Sequence, residues 1–196
     1  MIIDDLLSED QYKKLIDFIT SLDFPWYYQP NIAYIHDPNQ NLNKDIIQSF
    51  GLTHTVWDIE KGKVSEALSY VEPIVDCYQK ILGTKINNFI RIKINLQTPV
   101  PDNDSSKYNG AHVDRYVDHN TMIYYPLDSD GDTFVFNELF DPNDINSHPT
   151  RVMPTIKERI SPKSNRLYIL DNGLRYHSSS NPINYSQRYS INFNFN

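Results

Sequence analysis

The sequence predicts a mainly β chain with N-terminal helices, folded as a two-sheet jelly roll buttressed by those helices. Three observations predict it. Apolar residues recur at helical spacing in the first 83 residues, the period drops to two after Gly83, and clusters of turn residues then cut the chain into short runs. Helices first and seven or eight strands after them suit two packed sheets with helices over one of them.

Ser8 followed by Gln11 is a capping box, and Tyr12, Leu15, Ile16, Ile19 and Leu22 share one face, which predicts a helix over 8–22. From Pro25 to Gly51 the chain is rich in Asn, Asp and Pro. It reads as loop with a short helix near 43–50, placed to flap over a site. Val64, Leu68, Val71, Val75, Tyr78 and Leu82 predict a second helix over 58–82, kinked or divided at Pro73 and ended by Gly83. Beyond it, Ile90 to Leu96 alternates apolar and polar without a break. Gln187 to Phe195 does the same, with Arg188, Ser190, Asn192 and Asn194 on one face and Tyr189, Ile191, Phe193 and Phe195 on the other. Further strands are expected at 111–114, 121–127, 133–138, 150–156 and 166–171.

At 196 residues the chain is expected to form one domain, residues 1–83 giving a helical buttress with loops and 84–196 the jelly-roll core. A formal net charge of −7 without any basic run disfavours a general nucleic-acid binder. The single cysteine, Cys77, and an acidic N-terminus in place of a cationic leader predict a cytoplasmic protein, and no apolar run is long enough to span a bilayer.

The chemistry is concentrated in His112-Val113-Asp114, His177 and Arg188. On a strand, residues two apart project to one side, so His112 and Asp114 can face a single ion with Val113 turned away. Two imidazoles and a carboxylate are the ligand set of a mononuclear non-haem iron(II) site with open positions. An arginine close by suits a co-substrate carboxylate, because its planar guanidinium grips two oxygens at once. If Arg188 holds a ligand, the polar face of the last strand points inward and the Tyr/Ile/Phe face packs under the helices. Asp128-Ser-Asp130-Gly131-Asp132 lacks the distal glutamate of a calcium loop, since Leu139 stands there, and reads as a hairpin turn. His36, His54, His119 and His148 have no metal-like partners in sequence and read as solvent or loop histidines, His119 being the one nearest the motif. Trp26, Tyr27 and Tyr28 either pack the core or meet substrate.

Gly110-Ala-His112-Val-Asp114, Thr121-Met-Ile-Tyr-Tyr125, Gly131-Asp-Thr133-Phe-Val-Phe, Leu167-Tyr-Ile-Leu-Asp171 before His177, and Arg188-Tyr-Ser190 occur in an order that resembles the Fe(II)/2-oxoglutarate-dependent dioxygenases. The resemblance covers roughly residues 86 to 196 and is strongest to the prolyl 4-hydroxylase-like branch, including small phage-encoded members. It implies a double-stranded β-helix fold, Fe(II) held by His112, Asp114 and His177, and 2-oxoglutarate and O2 as co-substrates, with ascorbate as a candidate auxiliary. It also implies hydroxylation of a C–H bond on a peptide or protein substrate, with release of succinate and CO2. Arg188 would pair with the C5 carboxylate of 2-oxoglutarate, Ser190 would complete an Arg-x-Ser pattern, Tyr125 would hydrogen-bond the same carboxylate and Asn95 would touch the co-substrate. Thr121 and Ile123 would line the pocket wall. Lys93 and Arg91 share the face of Asn95 and read as solvated strand charges that would otherwise assist or replace Arg188. Two alternatives belong to other classes: a non-catalytic metal-binding jelly-roll module, and an AlkB-like nucleic-acid demethylase. The latter carries a second arginine six residues after the first, where this chain has Asn194. Substrate choice would lie in loops 25–57, 97–109 and 137–150.

Overall fold

The computed structural model describes residues 1–33, 46–147 and 154–196. Its frame is the pair β5 (Phe89–Gln97) and β11 (Arg188–Phe195), antiparallel and in register from Arg188 opposite Gln97 to Asn194 opposite Arg91. These are the two runs whose alternation is strictest. Both strands have one apolar and one polar face, so a one-residue slip would put every isoleucine on the wrong side.

An eight-stranded sheet grows around this pair. Beyond β11 lie β6 (Asn120–Tyr125), β9 (Arg166–Ile169) and β1 (Ile2–Ile3); beyond β5 lie β3 (Gly51–Asp58) and β2 (Tyr27–Gln29), and β4 (Gly62–Lys63) also pairs with β3. A second sheet has the order β10 (Arg175–Ser179), β7 (Thr133–Leu139), β8 (Ile156–Ile160). All pairings between these strands are antiparallel. Two antiparallel sheets with helices on one outer face bear out the predicted jelly roll.

The helices are α1 (Glu9–Ile19) and α2 (Leu68–Leu82). Ser8 caps α1 through the expected reciprocal bonds with Gln11. Gly83 closes α2 with φ 62°, and the helix runs through Pro73 without dividing. Leu15, Ile19, Val71 and Ile74 pack with Ile92, Ile94, Ile191, Phe193, Met122 and Tyr124 in one core between helices and large sheet. The other face of the large sheet looks toward the small one. There, Ile123, Tyr125, Val135, Ile160, Tyr168 and Leu170 form a separate cluster.

The N-terminal portion departs from a purely helical buttress. It supplies β1, β2, β3 and β4 to the large sheet, and the second helix starts at Leu68 rather than 58. The reason is visible in Val64, which fits the helical period but stands 43% exposed. Residues 46–50 are not helical, and Ile46 instead bridges to Tyr108. The turn text at 128–131 does not close a hairpin either. It carries the chain from β6 in one sheet to β7 in the other, and Asp130 accepts from the backbone of Ile183 and Asn184. Residues 111–114 form no strand of their own, only a bridge from His112 to His177. The strand expected at 150–156 is seen at Ile156–Ile160, its first part lying outside the described residues. Among the described residues no helix is long and apolar enough to cross a membrane.

Candidate metal centre and anion anchor

His112 and His177 face each other across a pair of backbone hydrogen bonds, His112 N–H to the His177 carbonyl at 3.0 Å and His177 N–H to the His112 carbonyl at 2.9 Å. Directly opposed residues of an antiparallel pair project to the same side. Their ring centroids are accordingly 4.8 Å apart. Val113 is buried in the cluster with Phe134, Phe136 and Tyr176, which returns Asp114 to the side of His112. A register shift in β10 lies between Arg175 and His177, and such irregularities commonly re-aim a side chain at a site.

The three side chains meet. Asp114 Oδ1 is 4.0 Å from His112 Nε2, Asp114 Oδ2 is 3.6 Å from His177 Nε2, and one ligand atom from each residue lies within 4.8 Å of the others. Each ring has its Nδ1 at 3.1 Å from a carbonyl two residues earlier in the chain, Gly110 for His112 and Arg175 for His177. This sets Nδ1 as the protonated nitrogen and leaves both Nε2 lone pairs toward the shared space. His177 Nε2 is buried without a hydrogen-bond partner. A buried polar atom left so is costly, and an ion bound by the three residues would satisfy it. The donor set therefore fits Fe(II).

Asp114 is held from both sides. Its Oδ1 accepts from Arg91 Nη2 at 2.6 Å and its Oδ2 from Asn194 Nδ2 at 2.9 Å. Burial alone would raise its pKa, but Arg91 and the two histidines hold it well below the usual carboxylate range, so the carboxylate stays ionised. Burial, with help from His177, pushes His112 down to about 4, which keeps that imidazole neutral and able to ligate. His177 moves up: burial opposes its charge, yet the adjacent Asp114 outweighs it, so a proton and a metal compete for the same nitrogen. Arg91 is thus no solvated strand charge. It also stands directly across the ladder from Asn194, the other residue that holds Asp114.

From this triad a cavity of about 220 Å³ runs between the sheets, and its walls include Arg91, Lys93, Asn95 and Gln97 of β5 and Arg188, Ser190 and Asn192 of β11. The polar faces of the two frame strands line the cavity. Lys93 has no ion pair among the described residues. Burial, then the neighbouring Arg91, lowers it to about 8, which corrects the expectation of a solvated lysine.

The far end is built around Arg188, 3% exposed. Its Nε donates to the Gly131 carbonyl at 2.6 Å, Nη1 to Gln97 Oε1 at 2.8 Å and to Ser190 Oγ at 3.5 Å, and Nη2 to Thr133 Oγ1 at 2.8 Å. Every acceptor is neutral. No carboxylate lies within ion-pair distance of Arg188 among the described residues, and Asp132 nearby is engaged by Arg159 at 2.8 Å. A buried guanidinium without a counter-ion calls for an anionic ligand.

Ser190, Asn95 and Ile123 line the cavity. Tyr125 is fully buried and donates to Thr133 Oγ1 at 2.7 Å, so it supports the anchor from behind instead of facing the ligand space. Thr121 likewise serves indirectly by accepting from Asn194 at 3.1 Å. Nothing in the sequence pattern singled out Gln97, Thr133 or the contact of Arg91 with Asp114. The unbroken alternation of β5 would have extended its inward row to Gln97.

The other histidines are placed differently. His54 is buried, with Nδ1 at 2.8 Å from the Pro25 carbonyl and Nε2 at 2.6 Å from Ser65 Oγ, and is a structural residue and not a solvent one. His119 is also buried, with Nδ1 at 2.8 Å from the Val117 carbonyl, and is not part of the cavity wall. His36 and His148 lie outside the described residues. Trp26 packs on Phe24 and Tyr189, whereas Tyr27 and Tyr28 are exposed.

No protein-family model and no curated protein matches the chain. Solved structures do. A prolyl hydroxylase from Trichoplax adhaerens, in complex with a hypoxia inducible factor oxygen degradation domain peptide fragment, superposes with TM-score 0.58 at 14% identity, covering 100% of this chain and 82% of its own. An oxidoreductase of the 2OG-Fe(II) oxygenase family from Burkholderia pseudomallei gives 0.60 at 10% identity, covering 100% and 84%. A viral collagen prolyl hydroxylase from Paramecium Bursaria Chlorella virus-1, in complex with 2OG, gives 0.50 at 12% identity, covering 100% and 93%. The chain has the fold of the 2OG-Fe(II) oxygenases, prolyl hydroxylases among them.

Proposed function

We propose that this protein is an Fe(II)- and 2-oxoglutarate-dependent oxygenase that hydroxylates a C–H bond of a peptide or protein side chain, prolyl in type. One observation carries the proposal: a single cavity has a His-Asp-His ligand set at one end and a buried arginine without a counter-ion at the other. A 2-oxo acid that carries a second carboxylate is the ligand class whose chemistry suits both ends.

In this reading His112, Asp114 and His177 would hold Fe(II) at the wall of the cavity. When bound, iron, 2-oxoglutarate and O2 supply the oxidising chemistry, and succinate and CO2 are its co-products. The chain's own part is positional. Arg91 and Asn194 aim the Asp114 carboxylate, and the Gly110 and Arg175 carbonyls fix the imidazole tautomers. Arg188 draws the distal carboxylate to the far end, and Ser190 and Asn95 offer further polar contacts along the way. Ile32, Ala33 and Ile123 give the wall its apolar part, which limits water around the reacting group.

The cavity is smaller than the roughly 300–1,000 Å³ typical of sites that enclose a drug-sized ligand. It suits a small dicarboxylate, with a side chain of a larger substrate reaching in from the mouth. Two of the structural neighbours are prolyl hydroxylases, one of them solved with a peptide, and this supports a peptide substrate by analogy of fold. The net charge of −7 weighs against a nucleic-acid substrate.

A peptide panel containing proline tests the assignment, read by mass spectrometry for an added oxygen alongside succinate release. The expected result is a peptide that gains one oxygen for each succinate formed, in an O2-dependent reaction. Succinate release that no peptide stimulates would remove the peptide assignment, and no O2-dependent turnover at all would favour a non-catalytic metal-binding module.

A further inference from the structure

Gln97 is the last residue of β5 and the register partner of Arg188. It is 2% exposed and lines the cavity. Its Oε1 accepts from Arg188 Nη1 at 2.8 Å, and this fixes which way the amide points, because the reverse orientation would set an N–H2 against an N–H. Nε2 is thereby turned away from Arg188. It is buried with no hydrogen-bond partner among the described residues.

Thr133 adds a second donor. Its Oγ1 already accepts from Tyr125 Oη and from Arg188 Nη2, so its own proton is left to be donated elsewhere, and Thr133 lines the same cavity. Arg188 has five N–H groups, of which four are directed at Gly131, Gln97, Ser190 and Thr133, leaving one on Nη2. Gln97, Thr133 and Arg188 thus each keep an unused donor at this end of the cavity. An ionised carboxylate, which accepts and cannot donate, is the complementary group.

We propose that Gln97 determines the class of 2-oxo acid this protein accepts, by donating from Nε2 to the distal carboxylate and by keeping Arg188 oriented but electrically unpaired. The proposal rests on the assignment of Arg188 as the co-substrate anchor. Neutrality at position 97 is the essential property. A glutamate has the same shape, and at 2.8 Å from the guanidinium it would form a buried ion pair, removing the charge that a dicarboxylate needs and repelling its distal group.

The test compares two 2-oxo acids of equal length, 2-oxoglutarate and 2-oxovalerate, which has a methyl group where the former has its distal carboxylate. Both are titrated anaerobically into the full chain loaded with Fe(II), and affinity is read from the chelate absorption and from calorimetry, without turnover. Gln97→Glu is expected to weaken 2-oxoglutarate by about 100-fold or more while 2-oxovalerate binds as well as to wild type or better. Gln97→Met, which keeps the volume and removes the amide, is expected to weaken 2-oxoglutarate by about 10- to 100-fold and leave 2-oxovalerate unchanged. Retained 2-oxovalerate binding reports that each variant is folded, and if Gln97→Glu does not fold, Gln97→Met decides alone. Wild-type selectivity in the folded variants overturns the role of Gln97 and leaves the site intact. Loss of both acids to the same extent marks Gln97 as structural only and also overturns it. Failure of the wild-type protein to bind 2-oxoglutarate overturns the co-substrate assignment itself.

Discussion

Gly131 is a position where one added methyl group reports on the whole anchor. A Cβ there would lie 2.7 Å from the Ser180 carbonyl oxygen, 2.8 Å from Arg188 Cδ and 3.0 Å from Pro182 N. Ordinary carbon–oxygen contacts begin at about 3.3 Å, so the strand-to-strand crossing must open by roughly half an ångström. Two of the three obstacles are backbone, which yields less readily than a flexible side chain. Overpacking of this kind costs about 1–3 kcal/mol. The same displacement moves the Gly131 carbonyl, which receives Arg188 Nε at 2.6 Å, and a hydrogen bond to a charged group contributes about 1.5–3 kcal/mol. Losing half of the upper figure through misalignment corresponds to about a tenfold weaker 2-oxoglutarate complex. Gly131→Ala is therefore expected to lower the urea midpoint and to raise the Kd for 2-oxoglutarate about tenfold. Gly62→Ala is the control. Gly62 has φ 71° with nothing within 4 Å of a built Cβ, so alanine there costs about 1–2 kcal/mol through backbone strain. Its 2-oxoglutarate affinity should stay that of wild type. Wild-type stability and affinity in Gly131→Ala, or an equal loss of affinity in both variants, would refute a steric coupling of the 128–131 crossing to Arg188.

Three further outcomes are expected. Gly173→Ala places a Cβ 2.1 Å from the His119 carbonyl oxygen, so it should destabilise by about 3 kcal/mol in chemical denaturation and, by shifting the entry to β10, weaken metal binding; an unchanged midpoint would contradict the close approach. Lys93→Met should stabilise the metal-free protein, and the gain should depend on pH. The folded state holds Lys93 at about 8 against 10.5 in the unfolded chain, so the unfolded chain binds the extra proton between these values and stability rises with pH through that window. The gain from methionine is thus full below pH 8 and gone above about 10.5; because Lys93 is only partly buried and water screens its charge, it should be about 1 kcal/mol, and a pH-independent difference would contradict a buried ammonium. Ser8→Ala should cost about 1 kcal/mol through the lost reciprocal cap of α1 and leave 2-oxoglutarate affinity untouched, with thermal unfolding and a titration as the checks.

Much of the fold was legible where a strand has two chemically different faces. β5 and β11 alternate strictly because one face meets the helices and the other lines the cavity, so Ile94 and Asn95, or Ile191 and Ser190, declare their environments by type. β3 was hidden for the opposite reason. Thr53, His54 and Thr55 do not alternate in polarity, and buried His54 is satisfied by Pro25 and Ser65, which no local pattern announces. The residues at 128–131 do mark a turn, yet turn chemistry says nothing about which sheets it joins. At the site, His112, Asp114, His177 and Arg188 carried a chemical signature in their side chains and order. Gln97 and Thr133 carried none, since a neutral amide and a hydroxyl gain meaning only from the guanidinium between them. Arg91 looked like one of several strand charges until the register set it opposite Asn194 and within 2.6 Å of Asp114.

The central claim is that one cavity binds Fe(II) through His112, Asp114 and His177 and 2-oxoglutarate between that ion and Arg188. Anaerobic addition of Fe(II) and then 2-oxoglutarate to the intact protein, followed by visible absorption, addresses it most directly. The expected result is a weak metal-to-ligand charge-transfer band that saturates with 2-oxoglutarate, disappears in His112→Ala and Asp114→Ala, and in Arg188→Ala returns only at much higher 2-oxoglutarate. No band in the wild-type protein, or an undiminished one in Asp114→Ala, would contradict it.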